Sequence, residues 1–288
     1  MSNPSRLYLQ SLEAPPATIL EHLIAHFPQV HPDVWRSRVA RGRVTLSDGT
    51  IVTPETPYRH GVHVHYWREL SFEPPAVEQE VVIYEDDEIL VADKPHGMPV
   101  IPSGPYLDRT LLLRLQKRTS LASLAPMHRL DRETAGLVLF NKRPEHRGLY
   151  HQLFAEGRVE REYMALAEIG EVQSTPRWLV ENRIEPGDPW FRQKIVEGPV
   201  NAVTEIALVE SNSRLGLFRL LPKTGKKHQL RLHMASIGFP ILGDALYPEM
   251  REKRDGELPL QLIANRLEFV DPLSGMARFF RSLRRLTA

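Results

Sequence analysis

The sequence predicts an α+β fold built on a mixed, largely antiparallel sheet with flanking helices, preceded by a small helical module. Three observations carry this. Beyond residue 80, short apolar runs separated by turn residues recur at 81–84, 89–92, 137–140, 163–167, 202–209, 217–221 and 267–270, the length and spacing of strands. Helix candidates are fewer, at 110–118 and 147–156, and do not alternate regularly with the strands as a doubly wound sheet requires. The first 72 residues open instead on one-sided helical periodicity. With 288 residues, 42% of them hydrophobic, the chain can bury a substantial core, and a disordered reading fails.

The elements follow in order. Thr18 caps a helix whose apolar stripe is Ile19, Leu20, Leu23, Ile24 and Phe27, and Pro28 ends it. Pro32 opens a second helix with Val34, Trp35 and Val39 as its apolar face, and Gly42 follows as a C-cap. Val44 and Leu46 then alternate with polar residues, Asp48-Gly49 marks a hairpin turn, and Ile51-Val52 return. Arg36, Arg38, Arg41 and Arg43 cluster on the second helix and its exit. This gives a module over 1–72. Residues 73–80 are too rich in proline at their start for a helix or a central strand and are read as a linker, leaving 81–288 as the main domain.

Composition excludes several classes. The formal net charge is only +1, so affinity for nucleic acid must come from local basic patches. There is no cysteine, which removes disulfides, thiolate catalysis and cysteine-ligated zinc. No apolar run approaches a membrane span, and residues 1–6 lack the apolar core of a signal peptide. The expectation is a cytoplasmic protein.

Four stretches carry candidate chemistry. In Met127-His128-Arg129-Leu130-Asp131-Arg132-Glu133-Thr134, an aspartate sits between basic residues just before an apolar strand. A carboxylate in a positive field suits a nucleophile or a stabiliser of positive charge, and basic flanks suit a polyanionic substrate. An isolated Arg-Leu-Asp, however, reads more readily as an ion-paired surface turn. Between Lys223 and His233, a glycine turn leads through Lys226 and Lys227 to His228, Gln229 and a buried-looking Arg231 between two leucines. Taken alone, this is a basic patch. Tyr163 begins a strand, where a half-buried tyrosine is common. Asp93-Lys94-Pro95-His96-Gly97 ends a strand and reads alone as a loop with a surface lysine.

Together and in this order, these stretches resemble the RNA pseudouridine synthases of the RluA family. The family pattern His-Arg-Leu-Asp, two variable residues, Thr-Ser-Gly is matched at 128–136, with Ala135 in place of serine. Lys-Pro-x-Gly is matched at 94–97. Thr-Gly-Arg-Thr-His-Gln-Ile-Arg is matched at 224–231, with Lys226, Lys227 and Leu230 as departures. The segment 238–247 matches the family's continuation as a structural turn lining the pocket, and Ile263 stands where a histidine is usual. The N-terminal pattern resembles a compact RNA-binding module first seen in a small-subunit ribosomal protein.

The resemblance implies the pseudouridine synthase fold and an isomerase that turns selected uridines of structured RNA into pseudouridine. It implies Asp131, Tyr163 and Arg231 as catalytic residues, with Arg231 pairing to Asp131 through a bidentate fork. Tyr163 would lie against the target base, stacking on it and assisting proton transfer. Arg129 would fill the gap left by the flipped nucleotide. RNA contacts are expected from Arg129, Arg132, Lys226, Lys227, His228 and Gln229, and from Arg36, Arg38, Arg41 and Arg43. The C-terminal Arg278, Arg281, Arg284 and Arg285 either touch phosphate or end a solvated helix. No metal or organic cofactor is implied, and no protein partner is evident. Ribosomal RNA is expected ahead of transfer RNA. One alternative is a catalytically silent RNA-binding or ribosome-assembly protein of the same fold, disfavoured because Asp131, Tyr163 and Arg231 are all present. Another is a two-carboxylate glycoside hydrolase, which leaves the other motifs unexplained.

Overall fold

The computed structural model describes residues 4–28, 30–67, 78–103, 106, 108–170, 176–254 and 256–287. The chain divides into two compact units, Met1–Glu73 and Pro74–Ala288. Residues 73–77 of the proline-rich linker stretch lie outside the described residues.

In the first unit, strand β1 (Ser5–Tyr8) precedes helices α1 (Ile19–His26) and α2 (Pro32–Ala40). Thr18 caps α1 as its sequence position predicts. Its hydroxyl accepts from Glu21 N at 3.2 Å while the Glu21 carboxylate accepts from Thr18 N at 3.4 Å, a reciprocal capping box. On α2, Trp35 and Val39 are one turn apart and buried, whereas Val34 lies off that stripe and is 38% exposed. Strand β2 (Val44–Leu46) runs into the Asp48-Gly49 turn, which Leu46 N closes onto Thr50 O at 2.8 Å.

The expected return strand at Ile51-Val52 contributes a single bridge to Thr45. Pro54 and Pro57 follow at once, and proline has no N–H to continue a ladder. The partner of β2 is instead β3 (His63–Tyr66), which also pairs with β1, giving the antiparallel order β1-β3-β2. Leu9, Ile19, Leu23, Trp35, Val44, Val52 and Val64 form the core of this unit.

The second unit contains β4 (Val81–Glu85), β5 (Ile89–Lys94), α3 (Leu111–Thr119), β6 (Ala125–Pro126), β7 (Ala135–Asn141), α4 (Arg147–Ala155), β8 (Glu160–Glu168), β9 (Arg177–Pro186), β10 (Gln193–Val196), β11 (Ala202–Ser211), β12 (Leu215–Pro222), α5 (Gln229–Ser236), β13 (Leu262–Val270) and β14 (Ala277–Arg281). The sheet runs β10-β9-β11-β12-β8-β13-β7-β5-β4, with β14 on β13 and β6 on β7. Among its described pairings only β13–β7 is parallel. The α+β fold with a largely antiparallel sheet is therefore as the sequence predicts. Helices α3 and α4 also fall where periodicity places them.

Helix α5 is not legible as a helix. Gln229 to Met234 are buried without a break, so no one-sided stripe exists to signal it. Arg278 and Arg281 lie on strand β14 rather than at a helix end. Arg278 is taken up by Asp86 and the Tyr84 hydroxyl, and Arg284 by Glu78 and Asp93.

The register positions the site. One cross-strand row runs Lys94 (β5), Gly136 (β7), Ala264 (β13), Tyr163 (β8), Leu220 (β12). Residues paired directly across a sheet share a face, so Lys94 and Tyr163 point the same way from strands three apart. Ala92, Val138, Ala165 and Leu220 on this face pack with Leu115 of α3 and with Leu230 and Met234 of α5. Leu137 and Leu139 on the opposite face pack with Tyr150 and Leu153 of α4.

Candidate active site

The loop between β6 and β7 carries Asp131. Thr134 N donates to Asp131 O at 3.1 Å, closing a turn whose other two carbonyls are held from beneath. Lys94 Nζ donates to Arg132 O at 3.0 Å, and also to Pro95 O and Met98 O at 3.0 and 2.7 Å. His96 Nδ1 meets Glu133 O at 2.7 Å. Lys94, which reads from sequence as a surface cation, is fully buried. Burial pulls its pKa down to about 7 despite the opposing charges of Asp131 and Glu133. His128 anchors the start of the loop, its Nε2 accepting from Leu139 N at 3.1 Å and its ring stacking on Phe154. Burial, then the charge of Arg161, lowers its pKa to about 3, so the ring is neutral. Its role is architectural.

The Asp131 side chain remains 30% exposed at the mouth of the site. Behind it stand His228 Nε2 at 3.8 Å and Arg231 Nη1 at 4.0 Å, both from the start of α5. His228 occupies the left-handed region at φ 56°, a conformation costing about 1–2 kcal/mol outside glycine. That backbone turn aims its ring inward, where Nδ1 meets the Tyr247 hydroxyl at 2.8 Å. Burial outweighs the pull of Asp131 and lowers the His228 pKa to about 4, so the contact with Asp131 is one between a neutral imidazole and a carboxylate.

The expected fork from Arg231 to Asp131 is corrected by the structure. Arg231 Nε and Nη2 donate to Asp244 Oδ2 and Oδ1 at 2.7 and 2.6 Å, and the remaining Nη1 is the atom turned to Asp131. The reason is burial. Arg231 is 4% exposed, and a charge so placed requires a desolvated partner in full hydrogen-bonding geometry, which the half-exposed Asp131 does not offer. Asp244 Oδ1 also accepts from Leu246 N and Tyr247 N at 2.7 and 3.1 Å, fixing the carboxylate. Burial opposes the arginine's charge, but Asp244 and then Asp131 outweigh it and its pKa is raised.

Tyr163 is buried on the same face. Burial, opposed by Arg161 and reinforced by the charge of Asp131, raises the pKa of its phenol, so it keeps its proton. Of the residues assigned to RNA, Arg129 is exposed beside Asp131, and Lys226 and Lys227 are exposed on the turn before α5. Arg132 is half exposed but committed to Glu133 and to the Tyr106 hydroxyl, both at 2.6 Å, and Lys253 joins Glu133 from another loop at 3.3 Å.

Three other assignments are corrected by burial. His228 forms the wall behind Asp131. Gln229 holds Lys226 N, Val203 O and the Thr204 hydroxyl, shaping the turn. Arg38 is 8% exposed in the first unit, its guanidinium 4.7 Å from the centre of the Trp35 ring, whereas Arg36, Arg41 and Arg43 are exposed. Sequence reasoning does not single out Asp244, Tyr247 or His96. For Asp244 a signal exists, since a buried arginine requires a buried carboxylate and Asp244 is the sole acid in 238–247.

A half-exposed carboxylate backed by a neutral imidazole and a guanidinium, with a protonated phenol on the same face, suits attack on or proton removal from a polyanionic substrate without hydride or electron transfer. The family model described as RNA pseudouridylate synthase matches residues 88–236, which span Asp131, Tyr163, His228 and Arg231. The chain belongs to the RNA pseudouridine synthase family.

Relatives within this family agree. The chain is 34% identical over 210 residues to "tRNA pseudouridine synthase C" of Haemophilus ducreyi, covering 66% of this chain and 85% of that one. It is 32% identical over 232 residues to "Ribosomal large subunit pseudouridine synthase D" of Pseudomonas aeruginosa, covering 76% and 71%. The solved structure of "Human RNA Pseudouridylate Synthase Domain Containing 1" superposes with a TM-score of 0.60 at 24% identity, covering 74% of this chain and 86% of that one, which speaks for the fold. As an RNA pseudouridine synthase, the protein is an RNA-modifying isomerase. Among the described residues no helix is long and apolar enough to cross a membrane.

Proposed function

We propose that this pseudouridine synthase acts on ribosomal RNA, with Asp131, Tyr163 and Arg231 as its reacting and supporting groups. The observation that carries the catalytic part is the placement of Asp131. Its side chain is 30% exposed, whereas Lys94, His228 and Arg231 around it are buried and either hold its loop or back its carboxylate. A uridine flipped out of a helix brings its ribose to Asp131 and its base toward Tyr163, and exposed Arg129 fills the vacated stack. The bond from C1′ to N1 breaks, the base turns, and C1′ joins C5. The C5 proton leaves and N1 regains one, so no redox step or external nucleophile enters. Asp131 acts on the ribose; the Tyr163 phenol takes part in moving the base proton. Arg231, held by Asp244, keeps a positive charge behind the carboxylate.

The lean toward ribosomal RNA rests on the N-terminal unit, whose helix–turn–helix–strand order resembles an RNA-binding module commoner in family members that modify ribosomal RNA. Exposed Arg36, Arg41 and Arg43 suit phosphate contact there. The test is incubation of the wild type and Asp131→Asn with total RNA from a strain lacking the gene, with pseudouridines mapped by carbodiimide-dependent primer-extension stops. New stops in ribosomal RNA, made only by the wild type, are expected. Stops confined to transfer RNA would sink the ribosomal assignment, and normal turnover by Asp131→Asn would sink the role of Asp131.

A further inference from the structure

The hairpin joining β9 to β10 presents Trp190, which is 70% exposed, beside Phe191, with ring centres 5.7 Å apart and edge-on. The tip is not a loose end. Arg192 N closes the turn onto Pro189 O at 2.8 Å, and Arg192 Nη2 donates to Pro248 O at 3.0 Å while its guanidinium lies 5.1 Å from the centre of the Tyr247 ring. Gln193 N donates to the Tyr247 hydroxyl at 2.7 Å. That hydroxyl is the one that meets His228 Nδ1, and His228 Nε2 faces Asp131. A second route reaches the same place. Lys227 Nζ stands 5.9 Å from the centre of the Trp190 ring, and Lys227 is the residue preceding His228. Two independent threads thus fix an exposed indole and an exposed ammonium together at the rim of the site.

We propose that Trp190 is a stacking platform for an unpaired base of the substrate RNA, adjacent to the flipped uridine, with Lys227 taking that nucleotide's phosphate. The inference rests on the functional reading above. An indole 70% exposed, with a mobile ammonium 5.9 Å over its ring, brings together partners for the two parts of a nucleotide, a π-face and a phosphate. Lys226 and Lys194 are also exposed nearby in sequence and outnumber the exposed Asp188, so the local charge balance favours a polyanion over an apolar protein surface. Stacking is tolerant of base identity, so Trp190 holds the strand in register beside Asp131 rather than reading its sequence.

The test compares full-length wild type, Trp190→Ala and Trp190→Phe for initial rates of pseudouridine formation over graded concentrations of total RNA from the deletion strain. The alanine variant is expected to lose about tenfold or more in kcat/KM, through KM more than kcat, and phenylalanine to restore most of it. An alanine variant close to wild type, the result if the indole instead serves a protein contact, overturns the proposal, as does a phenylalanine variant as weak as alanine. A titration independent of turnover follows tryptophan fluorescence with decaadenylate and with an abasic ribose-phosphate decamer. The base-bearing strand should quench the wild type more than Trp190→Phe, and equal quenching overturns the platform. If the wild type forms no pseudouridine, the functional reading fails, while the fluorescence still decides whether bases stack on Trp190.

Discussion

Arg231 has two carboxylates within reach, and burial decides which receives the fork. Its Nε and Nη2 belong to Asp244, leaving Nη1 at 4.0 Å from Asp131. Asp131 thereby faces a positive charge without being locked into a bidentate pair, so its oxygens stay available to a ligand. Removing one partner of a buried pair leaves an uncompensated charge, at a cost of about 3–5 kcal/mol. Asp244→Asn should therefore lower stability in urea unfolding by an amount of that order, whereas Arg231→Lys keeps a charge, loses the fork and should lose rate more than RNA affinity. An Asp244→Asn variant as stable as wild type would show that Arg231 draws its compensation from Asp131 after all.

The same residue marks how far a sequence can be read. Asp131 and Tyr163 come forward as candidates because they sit in ordered stretches of sequence. Asp244 is reachable only indirectly, through the demand of a buried arginine for a carboxylate, because the contact depends on a loop folding back over α5 that no local spacing encodes.

At the level of elements, the parallel seam between β7 and β13 sets the site. Gly136 sits in it at φ +110°, and a Cβ added there would run into the backbone of Ala264. That close approach lets the row Lys94–Gly136–Ala264–Tyr163 put Lys94, which holds the Asp131 loop, on the same face as the phenol. The backbone conformation alone makes Gly136→Ala cost about 1–3 kcal/mol, and the collision adds to it. Thermal unfolding of this variant should begin several degrees lower, and activity should fall even at temperatures where it remains folded. An unchanged melting temperature would show that the seam relaxes freely.

Helix α1 and many of the strands are readable here because the Thr18 cap and short apolar runs are local signals, whereas β9, β10 and β14 carry no such run and are missed. Helix α5 is not, since burial on every side erases the stripe that marks a helix. The return strand after Asp48-Gly49 is over-read from sequence, because turn chemistry fixes where a chain reverses but not how long the following ladder lasts.

Over the whole molecule, charge is local and titration is collective. With a net charge of +1, RNA affinity must come from patches, and the proposed reading draws one from the exposed Arg36, Arg41 and Arg43 of the first unit. Each phosphate that is no longer neutralised flattens the plot of log affinity against log salt by about 0.7–0.9, so replacing all three by glutamine should reduce the slope by about two to three. An unchanged slope would remove the first unit from the interface. Stability, by contrast, should respond to buried histidines. His128, His228 and His233 have pKa values lowered to about 3, 4 and 4, burial being the leading cause in each. His233 is held between the Thr204 hydroxyl and Asn182 Oδ1 at 2.9 and 3.1 Å, an arrangement one neutral tautomer satisfies. The unfolded chain binds protons on these rings near pH 6.5 that the folded chain refuses until about pH 4 or below. Their contribution is therefore fully present above pH 6.5 and is lost as pH falls toward 4, at about 1.4 kcal/mol per pH unit for each proton taken up on unfolding. His233→Gln, which preserves a donor and an acceptor, should lessen the acid-side slope of unfolding free energy by about one proton between pH 6 and pH 4.5. An identical slope in wild type and variant would mean that His233 titrates alike in the folded and unfolded chain, and that the neutral tautomer between Thr204 and Asn182 is not the one the fold selects.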